Sequence, residues 1–126
     1  MIHILLVDDD PLMTKITRRS LSRAGFEVDV SNRAFGLLNL VASKRPDILV
    51  IDMNMPGLRG IEVLELLRAD PFLAETKVVF YSGVEEHELR TLAICGGADG
   101  FLHKSASPQE LIDLLRRLPT RASKAV

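Results

Sequence analysis

Five short apolar runs divide the chain at regular intervals, and this spacing constrains the fold more than any other feature. The runs cover residues 4–7, 28–30, 48–51, 78–81 and 100–102, and the stretches between them carry helical periodicity. Alternation of strand and helix predicts βα units and a parallel sheet. The run Ile48–Ile51 contains no polar residue, which is typical of a strand covered by helices on both faces.

Two helices carry clear start signals. Asp10 followed by Pro11 predicts an N-cap and a first-turn proline for the first helix. Ser107 followed three residues later by Glu110 predicts a capping box for the last helix. Both signals agree with helices that lie between the apolar runs.

Composition narrows the class of protein. The 126 residues suffice for one domain, and 47% apolar with 26% charged residues is ordinary globular composition. The 16 basic and 17 acidic residues are scattered, so no nucleic-acid footprint is visible. The apolar start is too short to span a bilayer and lacks signal-peptide flanks, which favours a cytoplasmic protein. Cys95 is the single cysteine, so an internal disulfide is excluded. We expect its side chain to be buried on a helix.

Polar residues follow four of the five apolar runs. Because ligands bind beyond the carboxyl ends of parallel strands, we expect these residues to meet at one edge of the sheet. They are Asp8, Asp9 and Asp10 after the first run, Asp52 and Asn54 after the third, Ser82 after the fourth, and Lys104 after the fifth.

The expected cluster favours phosphoryl transfer. Asp8, Asp9 and Asp52 would repel one another, and a hard divalent cation such as Mg²⁺ would relieve that repulsion. The ion and Lys104 together balance the three negative charges, so a phosphoryl group would be tolerated on a nucleophilic aspartate. A Mg²⁺-dependent aspartyl phosphatase or phosphotransferase would also use a strand-end aspartate. That class requires a second acid two residues later, where this chain has Asn54.

These motifs together resemble the receiver domain of response regulators, from residue 2 to about residue 118. The resemblance is carried by Val7-Asp8-Asp9, by Asp52-Met53-Asn54-Met55-Pro56-Gly57, by Ser82-Gly83 and by Lys104. It implies a three-layer α/β/α fold of flavodoxin-like type, with a five-stranded parallel sheet in the order 2-1-3-4-5. It further implies a receiver domain over residues 1–118, followed by a polar tail or the start of a linker over 119–126.

The resemblance also assigns roles to residues. Asp52 is the expected phosphorylation site, and Ser82 and Lys104 are expected to bind the phosphoryl oxygens. The implied Mg²⁺ site consists of Asp8, partly through water, Asp9, Asp52 and the backbone carbonyl of Asn54. Ser82 and Phe101 form the implied switch pair.

The implied activity is that of a phosphoacceptor switch rather than an enzyme, and the resemblance allows such a switch to assist its own phosphorylation and dephosphorylation. The expected donor is a histidine kinase or a histidine phosphotransfer protein, and the expected output face is the fourth helix, fifth strand and fifth helix. We expect no direct contact with nucleic acid or membrane, and a monomer or phosphorylation-dependent dimer.

Two positions depart from the family pattern. Ser105 stands where the family usually has a proline after its lysine. Phe101 stands where many relatives carry tyrosine, and without a hydroxyl we expect its ring to pack inward.

Overall fold

Strands and helices alternate through the whole described chain. The computed structural model describes residues 1–120. The strands are β1 (His3–Val7), β2 (Glu27–Ser31), β3 (Ile48–Ile51), β4 (Lys77–Ser82) and β5 (Gly100–His103). The helices are α1 (Pro11–Arg23), α2 (Leu37–Lys44), α3 (Gly60–Ala69), α4 (Glu86–Gly96) and α5 (Pro108–Arg117). Each apolar run is therefore a strand, as the sequence predicted, with bounds that differ by one residue or less at each end.

The five strands form one parallel sheet in the order β2-β1-β3-β4-β5, which confirms the predicted topology. Strand side chains alternate between the two faces, so each face has its own core. One core joins the sheet to α2, α3 and α4, and the other joins it to α1 and α5. Ile48–Ile51 is fully buried, as expected of a strand between two helical layers.

The predicted helix caps are present. The Asp10 side chain accepts hydrogen bonds from the backbone N–H groups of Leu12 and Met13. Ser107 and Glu110 form the reciprocal capping box of α5. These caps fix where the loops after β1 and β5 end, and both loops carry residues of the predicted cluster.

Arg68 ties several elements together at the amino ends of β4 and β5. Its guanidinium donates to the carbonyls of Ala74 and Thr76 at 3.1 and 2.7 Å and to Asp99 Oδ2 at 2.6 Å. The same Asp99 oxygen accepts the backbone N–H of Val78 at 2.8 Å. This edge of the sheet, opposite the predicted cluster, is thus held by charge-assisted hydrogen bonds.

The prediction that Cys95 is buried is wrong. Its side chain is exposed on α4. The buried stripe of α4 consists of Leu89 and Ala93, which lie four residues apart. A residue two positions beyond Ala93 points away from that stripe, since successive helical residues turn by about 100°.

Two further findings concern membrane contact and the chain end. Over residues 1–120, the helices are too short or too polar to cross a bilayer. Thr120 is buried, with 3% of its surface exposed. The rest of the predicted tail or linker, residues 121–126, lies outside the described part of the chain.

Candidate functional site

The parallel sheet gathers the predicted residues at its carboxyl edge. Asp8 follows β1, Asp52 follows β3, Ser82 ends β4, and Lys104 follows β5. Asp8 and Asp52 are 3% and 5% exposed, and Ser82 is fully buried. These side chains therefore form a polar cluster at the carboxyl edge of the sheet, which is the arrangement that the strand ends predicted.

Lys104 joins the two buried carboxylates. Its Nζ donates to Asp8 Oδ2 at 2.5 Å and to Asp52 Oδ2 at 2.7 Å. The lysine side chain is itself only 17% exposed. One ammonium group thus neutralises part of a site that holds two carboxylates largely shielded from solvent.

The protonation states of Asp52 and Lys104 each follow from two opposed effects, burial and the interaction with neighbouring groups. Burial raises the pKa of Asp52, but the hydrogen bond and charge of Lys104, the Asn54 backbone N–H and the Ser82 hydroxyl outweigh it, so the pKa lies below its usual value. Burial lowers the pKa of Lys104, but the hydrogen bonds and charges of Asp52 and Asp8 outweigh it, so that pKa is raised. Both groups are therefore charged at neutral pH, and Asp52 is a carboxylate able to act as a nucleophile.

The carboxylates fit the predicted Mg²⁺ site. Asp8, Asp9 and Asp52 each offer an oxygen, and these oxygens lie within 4.8 Å of one another. Asp9 is exposed, whereas the other two are buried. The Asn54 backbone N–H donates to Asp52 Oδ1 at 3.0 Å, which places residue 54 beside the cluster. Hard oxygen donors with one side open to solvent suit Mg²⁺, which keeps several of its waters.

The two expected switch residues lie on neighbouring strands. Ser82 Oγ accepts the backbone N–H of Val84 at 3.3 Å. Phe101 pairs in register with Phe80 and packs partly buried against the core of α2, α3 and α4. The Arg90 guanidinium lies over the Phe101 ring, 5.7 Å from its centroid. The Phe101 ring is thus partly buried rather than fully exposed.

The turn after β5 directs Lys104 into the site. Peptide bonds within residues 1–120 are trans, including Lys104–Ser105. The Lys104 backbone N–H donates to the Ser82 carbonyl at 2.9 Å, so strand pairing continues through this residue. His103 Nδ1 lies 2.8 Å from Ser105 Oγ, and this contact keeps the imidazole in the turn.

Asn32 contacts the cluster although the sequence did not single it out. It follows β2, and its Nδ2 donates to the Asp8 carbonyl at 2.7 Å and to Thr14 Oγ1 at 3.1 Å. The strand-end rule that selected the other residues also applies to β2. A signal was therefore present, but an asparagine after a strand is also an ordinary turn residue.

Curated relatives of the chain are response regulators. Response regulator MprA of Mycobacterium tuberculosis strain H37Rv is 34% identical over 120 residues, which is 95% of this chain and 51% of that protein. MprA of Mycobacterium sp. strain KMS is 34% identical over 122 residues, which is 97% of this chain and 52% of the relative. The chain therefore spans about half the length of these relatives.

Solved structures show the same likeness. The signal receiver domain of a response regulator from Bermanella marisrubri is 30% identical, with a TM-score of 0.82, and the match covers 92% of this chain and 96% of that one. Chemotaxis response regulator CheY4 of Vibrio cholerae is 26% identical, with a TM-score of 0.82, covering 93% and 98%. The family model described as response regulator receiver domain matches residues 4–116. The chain belongs to the response regulator receiver domain family.

Proposed function

We propose that Asp52 accepts a phosphoryl group from a phosphohistidine and that this modification switches protein–protein contacts. The observation that carries the proposal is the pair of contacts from Lys104 to Asp8 and Asp52. It keeps a buried aspartate ionised beside a second acid and a buried hydroxyl, Ser82. A nucleophilic carboxylate needs this ionised state, and the cationic group limits the repulsion of an incoming phosphoryl group.

In the proposed reaction, an Asp52 carboxylate oxygen attacks the phosphorus of the donor. A P–O bond forms while the P–N bond to the donor histidine breaks, and the electron pair of that bond returns to the imidazole nitrogen, which is then protonated. Lys104 lies 2.7 Å from Asp52 Oδ2, so its ammonium comes within reach of a phosphoryl oxygen on that residue. Ser82 binds a second phosphoryl oxygen in this proposal.

We assign Mg²⁺ to the carboxylate cluster. Asp9 and Asp52 would hold the ion with the backbone carbonyl of Asn54. Asp8 would support it partly through water, because both of its carboxylate oxygens already have partners. One oxygen contacts Lys104, and the other accepts the Asp10 N–H at 3.0 Å. When bound, Mg²⁺ neutralises negative charge on the transferring phosphoryl group. The exposed position of Asp9 gives the ion access from solvent.

The family implies a histidine kinase or a histidine phosphotransfer protein as donor. We propose that the output face consists of α4, β5 and α5. Two features support this: Ile94 of α4 is 69% exposed, and a cleft beside Phe101 is lined by charged residues of α5, among them Glu110, Asp113 and Arg117. An exposed apolar side chain and a cleft lined by charged groups each suit contact with a protein partner.

We further propose that the receiver domain occupies residues 1–118. The chain acts in the cytoplasm as a phosphoacceptor switch rather than an enzyme, as a monomer or a phosphorylation-dependent dimer, without direct nucleic-acid contact. The phosphatase alternative is not favoured, because the family match points to the receiver class and Asn54 occupies the position of the second acid.

The test is labelling of the purified chain with acetyl phosphate and Mg²⁺. The wild-type protein should gain one hydroxylamine-labile phosphoryl group, and Asp52→Asn should gain none. Asp113→Asn is the control, since Asp113 lies exposed on α5, away from the cluster. Undiminished labelling of Asp52→Asn would refute the assignment.

A further inference from the structure

We infer that Asn32 is a positioning residue for the metal site: its side-chain amide fixes the peptide from which Asp9 projects. This inference rests on the proposed Mg²⁺-assisted function. Asn32 Nδ2 donates to the Asp8 carbonyl at 2.7 Å, across 24 positions of sequence. That carbonyl belongs to the peptide whose nitrogen is that of Asp9.

Both peptide groups that flank the Asp8 Cα are held by the end of β2. The Asp8 N–H donates to the Ser31 carbonyl at 3.2 Å, and the Asp8 carbonyl accepts from Asn32. The peptide planes before and after the Asp8 Cα are therefore both fixed, and the second of them leads into Asp9. Since a planar peptide leaves only two soft dihedral angles per residue, fixing it restricts where the Asp9 carboxylate can lie.

Asn32 is itself anchored to α1. Its amide also donates to Thr14 Oγ1 at 3.1 Å, and the Thr14 hydroxyl donates to the Pro11 carbonyl at 3.0 Å. Thr14 is buried, with 3% exposure. The chain of hydrogen bonds thus connects the β2–α2 loop, the first turn of α1 and the acidic loop, and Asn32 is the member that touches all three.

The location of Asn32 agrees with this role. Asn32 and Asp9 line the same open cleft, together with Met55 and Pro56 of the loop after Asp52. Asn32 is exposed, so water can replace part of its hydrogen bonding after substitution. We therefore expect a moderate effect on metal affinity, below the tenfold to hundredfold loss common for partners of metal ligands.

The test is a calorimetric Mg²⁺ titration of the whole chain without any phosphodonor. Asn32→Ala should raise the Mg²⁺ dissociation constant by about 3- to 10-fold. Asn39→Ala is the matched control, because Asn39 is an exposed asparagine on α2 that lines a different cleft, and its affinity should equal that of wild type. Thermal melting of Asn32→Ala in EDTA should remain close to wild type.

A second readout separates positioning from a structural role. In acetyl phosphate labelling, the Mg²⁺ concentration for half-maximal rate should rise for Asn32→Ala by the same factor, while the rate at saturating Mg²⁺ stays unchanged. Affinity within twofold of wild type, or weakened affinity together with a clearly lowered melting point in EDTA, would overturn the inference while leaving the proposed function intact. Absence of Mg²⁺ binding by the wild-type chain would remove both.

Discussion

Replacing Lys104 by methionine should expose how strongly the site depends on one cation. Methionine keeps most of the side-chain volume but removes both contacts, at 2.5 and 2.7 Å, to carboxylates that are 3% and 5% exposed. Removing one partner of a buried ion pair costs about 3–5 kcal/mol. The lysine side chain is 17% exposed, so solvent screens part of the interaction and we expect the lower end, about 3 kcal/mol.

The assay is thermal or urea unfolding in EDTA, with a double-mutant cycle. For a domain of this size, about 3 kcal/mol lowers the melting midpoint by about 10 °C. Asp52→Asn in the Lys104→Met background should recover at least about 1 kcal/mol, because it removes a buried carboxylate that has lost its counter-charge. Lys15→Met, at an exposed lysine of α1, should change little. Additive effects of the two substitutions would refute the reasoning.

The pH dependence gives an independent check. In the wild-type chain the folded pKa of Asp52 is lowered, so this group stabilises the fold above its unfolded pKa, and the contribution is lost as pH falls through the lower, folded value. In Lys104→Met, burial still raises the pKa of Asp52, but the ammonium group that lowered this pKa is absent. The folded pKa is then above the unfolded value, so the stability that Asp52 contributes is lost as pH rises. The stability difference between wild type and Lys104→Met should therefore be large at pH 7 and shrink toward pH 4. A difference independent of pH would contradict this account.

Three further outcomes are expected. Asp9→Ala should weaken Mg²⁺ binding far more than Asp10→Ala in a calorimetric titration, because the Asp10 side chain caps α1. Equal losses would mean that Asp9 has been wrongly assigned as the metal ligand. Ser82→Ala should keep much of the phosphorylation but lose much of the amide-exchange response of α4 to beryllofluoride with Mg²⁺, and an undiminished response would argue against a switch role. Arg68→Ala should destabilise the fold by about 2 kcal/mol in urea unfolding, since Asp99 keeps a partly buried charge without its partner; a change below about 0.5 kcal/mol would show that water replaces these bonds.

The sheet and most of the candidate site could be predicted because both follow from local patterns. Apolar runs identify parallel strands, and parallel strands place their carboxyl ends together, so Asp52 and Lys104 meet although 52 positions separate them. The strand-end rule also covers Asn32 after β2, but the contact of Asn32 with Asp8 depends on the exact approach of two loops, which that rule does not specify. The orientation of Cys95 was mispredicted because α4 carries apolar residues on more than one face, including the exposed Ile94.

The exposure of Cys95 has a practical consequence for studying this protein. It is the chain's single cysteine and lies near the end of α4, the helix expected to respond to phosphorylation. A fluorophore or spin label can therefore be attached at one defined position without any substitution, and its signal would report on movement of that helix in real time. The same thiol can join two copies through a disulfide, so a measurement of oligomeric state requires a reductant.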